Sequence, residues 1–189
     1  PTSSRRQRQM CIRDRGKTTL AAYRLLWLLL TPLIVVWSIQ QMVARSGGRR
    51  YFRERFGLYL VGSRPAPVWF HAASVGEIRL AMPLINSAIH HGVLITCNTP
   101  DAYRLAVQSW GDSVTIHYCP LDYVWSVRQL LRHYQPTVVF IIETELWPEL
   151  YFQCARHSIP IHIINGRISN KTYQAHFLLR VFYRRALLT

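Results

Sequence analysis

Carboxylates are scarce in this sequence. Its 189 residues carry nine Asp and Glu against 23 Lys and Arg, a formal net charge of +14. Charged residues of both signs make up 17% of the chain, whereas hydrophobic ones make up 50%, apolar for a soluble domain. Neither G-x-G-x-x-G nor G-x-x-x-x-G-K-[ST] occurs, which disfavours a dinucleotide-dependent dehydrogenase or a P-loop enzyme. The four cysteines (Cys11, Cys97, Cys119, Cys154) are widely spread, with no C-x-x-C pair. That spacing argues against a zinc site or a disulfide framework and fits a reducing compartment. The first fifteen residues, PTSSRRQRQMCIRDR, have neither the apolar core of a signal peptide nor any periodicity. Met10 to Asp14 resembles the translation of a transposon-end adapter used in making sequencing libraries. Residues 1–15 are therefore expected to be a non-native tail, with the native protein starting near Gly16. The alternative is a short basic tail touching phosphates. Removing this stretch takes away five arginines and Asp14, lowering the net charge by four.

What the chain has instead is one long apolar run. From Leu25 to Ala44, LLWLLLTPLIVVWSIQQMVA, twenty residues pass without a charge. A helix of that length spans about 30 Å, the thickness of a bilayer's hydrocarbon core. Residues 16–44 are accordingly expected to be a membrane-anchor segment, kinked at Pro32, with Trp27 and Trp37 at the interfaces. A buried core helix is the competing assignment, but no neighbouring helix could cover so apolar a surface. Arg45, Arg49, Arg50, Arg53 and Arg55 follow at once, opposed only by Glu54. They define a basic juxtamembrane linker over 45–64 that would attract an anionic leaflet, or simply be solvated. With residues 1–15 set aside as non-native, only Lys17 and Arg24 precede the span, so positive-inside asymmetry places the downstream domain in the cytoplasm.

From Pro65 the pattern becomes short apolar runs alternating with helical ones. Strands are expected at Val68–Ala72, Val93–Cys97, Val114–Tyr118, Thr137–Ile142 and Ile161–Ile164. Helices are expected at Ile78–Ile89, from Thr99-Pro100-Asp101 onward, at Val124–Tyr134 and at Pro148–His157, the second with Thr99 as its cap. Such alternation with short connections predicts an α/β fold with a doubly wound parallel sheet over 65–189. The chain stops at Thr189 within an uncapped amphipathic basic segment, which reads as a fragment.

Ligands bind outside the carboxyl ends of such strands. Glu77, Asp101, Asp122, Glu143 and Glu145 all fall in those loops, a concentration that suggests carboxylates for acid–base work. Structural roles compete. Ser74-x-x-Glu77 is also a capping box, and Gly76 could let a backbone approach a ligand or serve only its turn. Asp101 and Asp122 fit first-turn or capping positions. Trp147 suits packing more readily than sugar stacking, and His71 suits a hydrogen-bonded structural role. Glu143, directly after a strand buried on both faces, is harder to explain structurally.

Three segments resemble the motifs of bacterial Kdo (3-deoxy-D-manno-octulosonic acid) transferases: HAASVGE (71–77), IIETELWPE (141–149) and NGRIS (165–169). The segment YFRERFG (51–57) and the hydrophobic amino terminus are similar too, so the resemblance runs from about Ala21 to the end. It implies the amino-terminal, acceptor-side half of a two-domain GT-B glycosyltransferase on the cytoplasmic face of the inner membrane. Such an enzyme transfers Kdo from CMP-Kdo to the lipid A precursor, needing neither metal nor cofactor. Carried over by motif, Glu77 would be the general base and Glu143 would stabilise the transition state. Ser74, Gly76, Glu145, Asn165 and Arg167 would bind substrate. The donor domain would lie beyond this chain, which alone would be inactive. Departures from the family pattern are Asn98, Asp101, Ala102 and Tyr103 in the second loop, Leu121 in the third, and Glu149 where asparagine is usual. Two other classes remain open from the residues themselves. One is a membrane-tethered basic binding module, disfavoured because the arginines are not interleaved with aromatics across the folded part, so no nucleic-acid partner is expected. The other is a different membrane-associated GT-B transferase.

Overall fold

The computed structural model describes residues 2–44, 48–59, 65–143, 145 and 147–166. Helix α1 (Thr2–Ala44) is followed by α2 (Gly48–Arg55) and then by strictly alternating strands and helices. These are β1 (Val68–His71), α3 (Val75–Ala88), β2 (Val93–Cys97), α4 (Pro100–Trp110), β3 (Thr115–Tyr118), α5 (Val124–Tyr134), β4 (Val138–Ile142), α6 (Pro148–Arg156) and β5 (Ile161–Ile164). The strands form one sheet in the order β3-β2-β1-β4-β5, every pair parallel. The expected α/β doubly wound, Rossmann-like sheet is present.

Alternation along each strand divides the core in two. Phe70, Ile95 and Ile142 point to α3 and α4, where Ile78, Ile85 and Ala106 complete one cluster. Trp69, Leu94 and Ile141 point the other way, to Val127, Leu130 and Leu150 of α5 and α6. The chain thus winds outward from β1 to β3 with helices on one face. It then crosses back to β4 and β5 with helices on the other. That reversal opens a crevice between the carboxyl ends of β1 and β4.

Several boundaries shift for local reasons. Helix α3 starts at Val75, three residues before its apolar periodicity, because Ser74 is extended (φ −125°, ψ 167°) and its side chain accepts from the Glu77 N–H. Helix α4 opens as expected on Thr99, whose hydroxyl accepts from the Ala102 N–H. Helix α1 runs through Pro32 without a break.

The basic segment after α1 is not simply a solvated linker. Helix α2 buries Tyr51, Glu54 and Arg55. The Glu54 carboxylate accepts from the Tyr118 N–H at 2.8 Å, pairs with Arg50 at 2.6 Å and lies 2.7 Å from His117 Nδ1. These partners hold its pKa below the usual carboxylate range against the opposing effect of burial. Arg50 also donates to the Ile116 carbonyl. Of the arginines expected to face a membrane, Arg50 and Arg55 are thus committed to the domain, Arg49 and Arg53 are exposed, and Arg45 lies outside the described residues.

Candidate functional site

The loop after β1 presents Glu77 at the crevice. The residue is 7% exposed; its carboxylate accepts from the Ala73 N–H at 2.6 Å and from the Ser74 hydroxyl at 2.9 Å. These bonds tie the carboxylate to the turn and fix its orientation, so Ser74 acts here on Glu77. Burial raises the Glu77 pKa, the Ala73 and Ser74 hydrogen bonds oppose the rise, and the charge of Glu143 adds to it. Gly76 is not in the left-handed region, and a Cβ there would find only Ser74 Oγ, at 3.9 Å. The turn therefore does not demand glycine, and the space over it is open.

The loop after β4 supplies two more carboxylates. Glu143 is exposed and sits at φ +62°, a left-handed conformation costly for a side-chain-bearing residue. Its N–H donates to the Ile164 carbonyl at 2.8 Å, which places it beside the end of β5. There Asn165, also left-handed (φ +56°) and exposed, takes a conformation asparagine tolerates. Glu145 is half-buried. Burial and the Glu77 charge push its pKa up, while the Trp147 indole and the Arg55 guanidinium pull it down. Glu77, Glu143 and Glu145 thus sense one another electrostatically at the crevice. Arg167 lies outside the described residues.

Arg55 was missed as a site residue because its neighbours suggested a membrane-facing linker. It is 5% exposed and donates through Nη1 to Asn98 Oδ1 and the Cys119 carbonyl, both at 2.9 Å. Among the described residues no carboxylate lies within 4.0 Å of it. It lines a cleft of ≈ 370 Å³ with Asn98, Thr99, Glu145, Trp147 and Gln41. The signal for it was present: Tyr51, Glu54 and Arg55 stand at helical spacing, the mark of a buried face.

The other acidic candidates are not at the crevice. Asp101 is exposed in the first turn of α4 and pairs with Arg104. Asp122 caps a helix, but not its own: its oxygens accept from the Glu149 and Leu150 N–H groups of α6 at 2.8 and 2.9 Å. Glu149 is fully buried and accepts two bonds from Arg24, at 2.8 and 2.9 Å, and one from Gln153. His71, also fully buried, lies 3.0 Å from Thr96 Oγ1; burial and the nearby Arg55 charge push its pKa down to about 4. It is a neutral interior residue at pH 7.

Residues 50–189 match the family described as 3-deoxy-D-manno-octulosonic-acid transferase (kdotransferase). The chain is 35% identical over 156 residues to 3-deoxy-D-manno-octulosonic acid transferase of Haemophilus influenzae, covering 79% of this chain and 36% of that protein. A Bordetella pertussis protein of the same name is 29% identical over 154 residues, covering 74% and 35%. A probable mitochondrial 3-deoxy-D-manno-octulosonic acid transferase of Arabidopsis thaliana is 31% identical over 126 residues, covering 64% and 28%. The chain thus spans about a third of the length of these relatives.

Proposed function

The chain belongs to the Kdo transferase family, and we propose that it forms the acceptor-side domain of a GT-B enzyme. That enzyme would transfer Kdo from CMP-Kdo to the lipid A precursor in lipopolysaccharide biosynthesis, at the cytoplasmic face of the inner membrane. The observation that carries this proposal is the Glu77 carboxylate. It is fixed at the switch point of the sheet, with its pKa raised and open space over Gly76 beside it. A sugar hydroxyl is a poor nucleophile until its proton is removed as the new bond forms, and a positioned carboxylate near its own pKa does this well.

Glu77 takes the proton of the acceptor hydroxyl as that oxygen bonds to the anomeric carbon of Kdo. The bond from that carbon to the CMP phosphate oxygen breaks, and the leaving group keeps the electron pair. Positive charge developing at the anomeric carbon is stabilised by Glu143, exposed at the end of β4. Glu145, Asn165 and Arg167 bind the substrates from the β4 and β5 loops, and Ser74 and Gly76 from the β1 loop. The nucleotide is held by residues beyond this chain. Helix α1, with the apolar stretch Leu20–Met42, anchors the domain where its lipid acceptor resides.

The test is Glu77→Gln in the enzyme that contains this chain. Glutamine can still accept from the Ala73 N–H, so the cap survives and thermal unfolding moves by at most a few degrees. Kdo transfer to the lipid A precursor falls about 10²- to 10⁴-fold. Near-normal turnover by the folded variant would return Glu77 to a purely structural role.

A further inference from the structure

From Leu20 to Met42 the side chains of α1 form a narrow face turned to the domain and a broad exposed apolar one, which composition does not distinguish. Leu20, Arg24, Trp27, Thr31, Ser38 and Gln41 recur at three- or four-residue intervals, or multiples of them, and so share one face. That face touches the domain from end to end. Leu20 and Ser38 are buried, at 7% and 0% exposure. Tyr23, beside Arg24, donates to Asp122 at 2.7 Å, and Arg24 makes its paired bonds to Glu149. Trp27 packs edge-on against Tyr123, whose hydroxyl lies 2.9 Å from that of Thr31. Gln41 lines the cleft beside Arg55 and Glu145. The opposite face carries Leu25, Leu29, Leu33 and Val36, exposed by 58%, 69%, 68% and 55%, and Leu26, Leu28, Leu30, Trp37 and Ile39, also exposed, widen it on both flanks.

We propose that α1 is an in-plane membrane element, seated on a lipid surface by its Leu25-Leu29-Leu33-Val36 stripe and joined to the domain along its other face. It does not cross the bilayer. This rests on the membrane anchoring proposed above and specifies its geometry. The joined stretch from Leu20 to Gln41 is about 32 Å long, the full thickness of the hydrocarbon core. A crossing helix would carry its attached face, including Asp122, Glu149 and the start of α6, into lipid. Detaching the domain instead would leave Glu149 buried without Arg24 and Asp122 without Tyr23. Lying flat avoids both penalties. The occupant of the apolar stripe is a membrane because the exposed basic side chains next in sequence, Arg49 and Arg53, suit anionic headgroups.

Sidedness separates the two geometries. The chain is placed in the inner membrane of a Gram-negative host in a Cys11→Ser background, where the remaining cysteines, Cys97, Cys119 and Cys154, are buried. Single cysteines are introduced as Gly16→Cys and Arg53→Cys and probed with an impermeant maleimide. Both label in inverted vesicles and neither in right-side-out vesicles if α1 lies in plane; labelling from opposite sides overturns the proposal while leaving membrane anchoring intact. Recovery of the chain in the soluble fraction after flotation overturns the anchoring itself. In a second measurement, a fluorophore on Leu29→Cys is quenched by lipids carrying nitroxides at different depths. The expected depth is about 5–10 Å below the headgroup boundary; a mid-bilayer depth overturns the proposal.

Discussion

Glu77 carries a local duty and a chemical one on the same carboxylate. Its hydrogen bonds to Ala73 and Ser74 stabilise the ionised form, but burial outweighs them and the Glu143 charge adds to the rise. The pKa is raised, so the proton-accepting form disappears as pH falls through that raised value. Below it, kcat/KM for Kdo transfer should fall tenfold per pH unit. Glu143→Gln removes a repelling charge. It should lower the plateau rate and also move the acid limb to lower pH, and a pH–rate profile of the two enzymes measures that displacement. An unmoved limb would mean that the limb belongs to another group. This part of the site was legible in the sequence because it is local: Ser74 and Glu77 are three residues apart on one turn. The burial of Arg55 was legible in its helical spacing with Tyr51 and Glu54, but its role was not, since its partners Asn98 and Cys119 lie 43 and 64 residues away.

At the scale of elements, β2, α5 and β5 stand at the residues their patterns predicted, because each is bounded by its own apolar period and turn chemistry. Helix α2 was hidden by its arginines, although YFRERFG holds its terminator. Gly57 sits at φ +78°, the Leu58 N–H bonds the Arg53 carbonyl at 2.8 Å, and the Gly57 N–H bonds that of Glu54 at 2.9 Å. This is the Schellman pattern at a helix end. A Cβ on Gly57 would stand 2.6 Å from Ser126 Cα, so Gly57→Ala adds a backbone clash to the left-handed penalty. It should destabilise the domain by about 2 kcal/mol or more, seen as a lower Tm or urea midpoint. Helix α6 is capped from outside its own segment by Asp122, a pairing across 27 residues that no local pattern contains. Burial pushes the Asp122 pKa up to about 6, against the pull of its backbone and Tyr23 hydrogen bonds. The folded state then binds this proton more tightly than the unfolded chain. The Asp122 contribution is fully present below its ordinary carboxylate range and declines as pH rises through about 6. Asp122→Asn should remove a decline on the order of 2 kcal/mol, read as a flatter dependence of Tm on pH between 4 and 7.

For the molecule as a whole, an apolar helix of this length suggests a tether that could be cut without consequence for the domain. The contacts of α1 indicate otherwise. Arg24 is the cation paired with Glu149, a carboxylate with no exposure at the start of α6, and Tyr23 is one of three donors to Asp122. Deleting residues 1–44 should abolish membrane association, since the apolar stripe goes with it. It should also strand Glu149. Breaking a buried pair by removing one partner costs about 3–5 kcal/mol; Arg24 is a third exposed, so its loss should cost about 2–3 kcal/mol. For a domain of this size that is roughly 5–10 °C in Tm. Glu149→Gln in the truncated protein removes the stranded charge while keeping a partner for Gln153, and should recover part of the loss. The same change in the 189-residue chain breaks the Arg24 pair and should be destabilising. This opposite sign is the diagnostic outcome, measured by thermal unfolding of the four proteins in one detergent buffer. Equal Tm values for the 189-residue and truncated forms would show that α1 is a passive tether and that Arg24 contributes nothing to the fold.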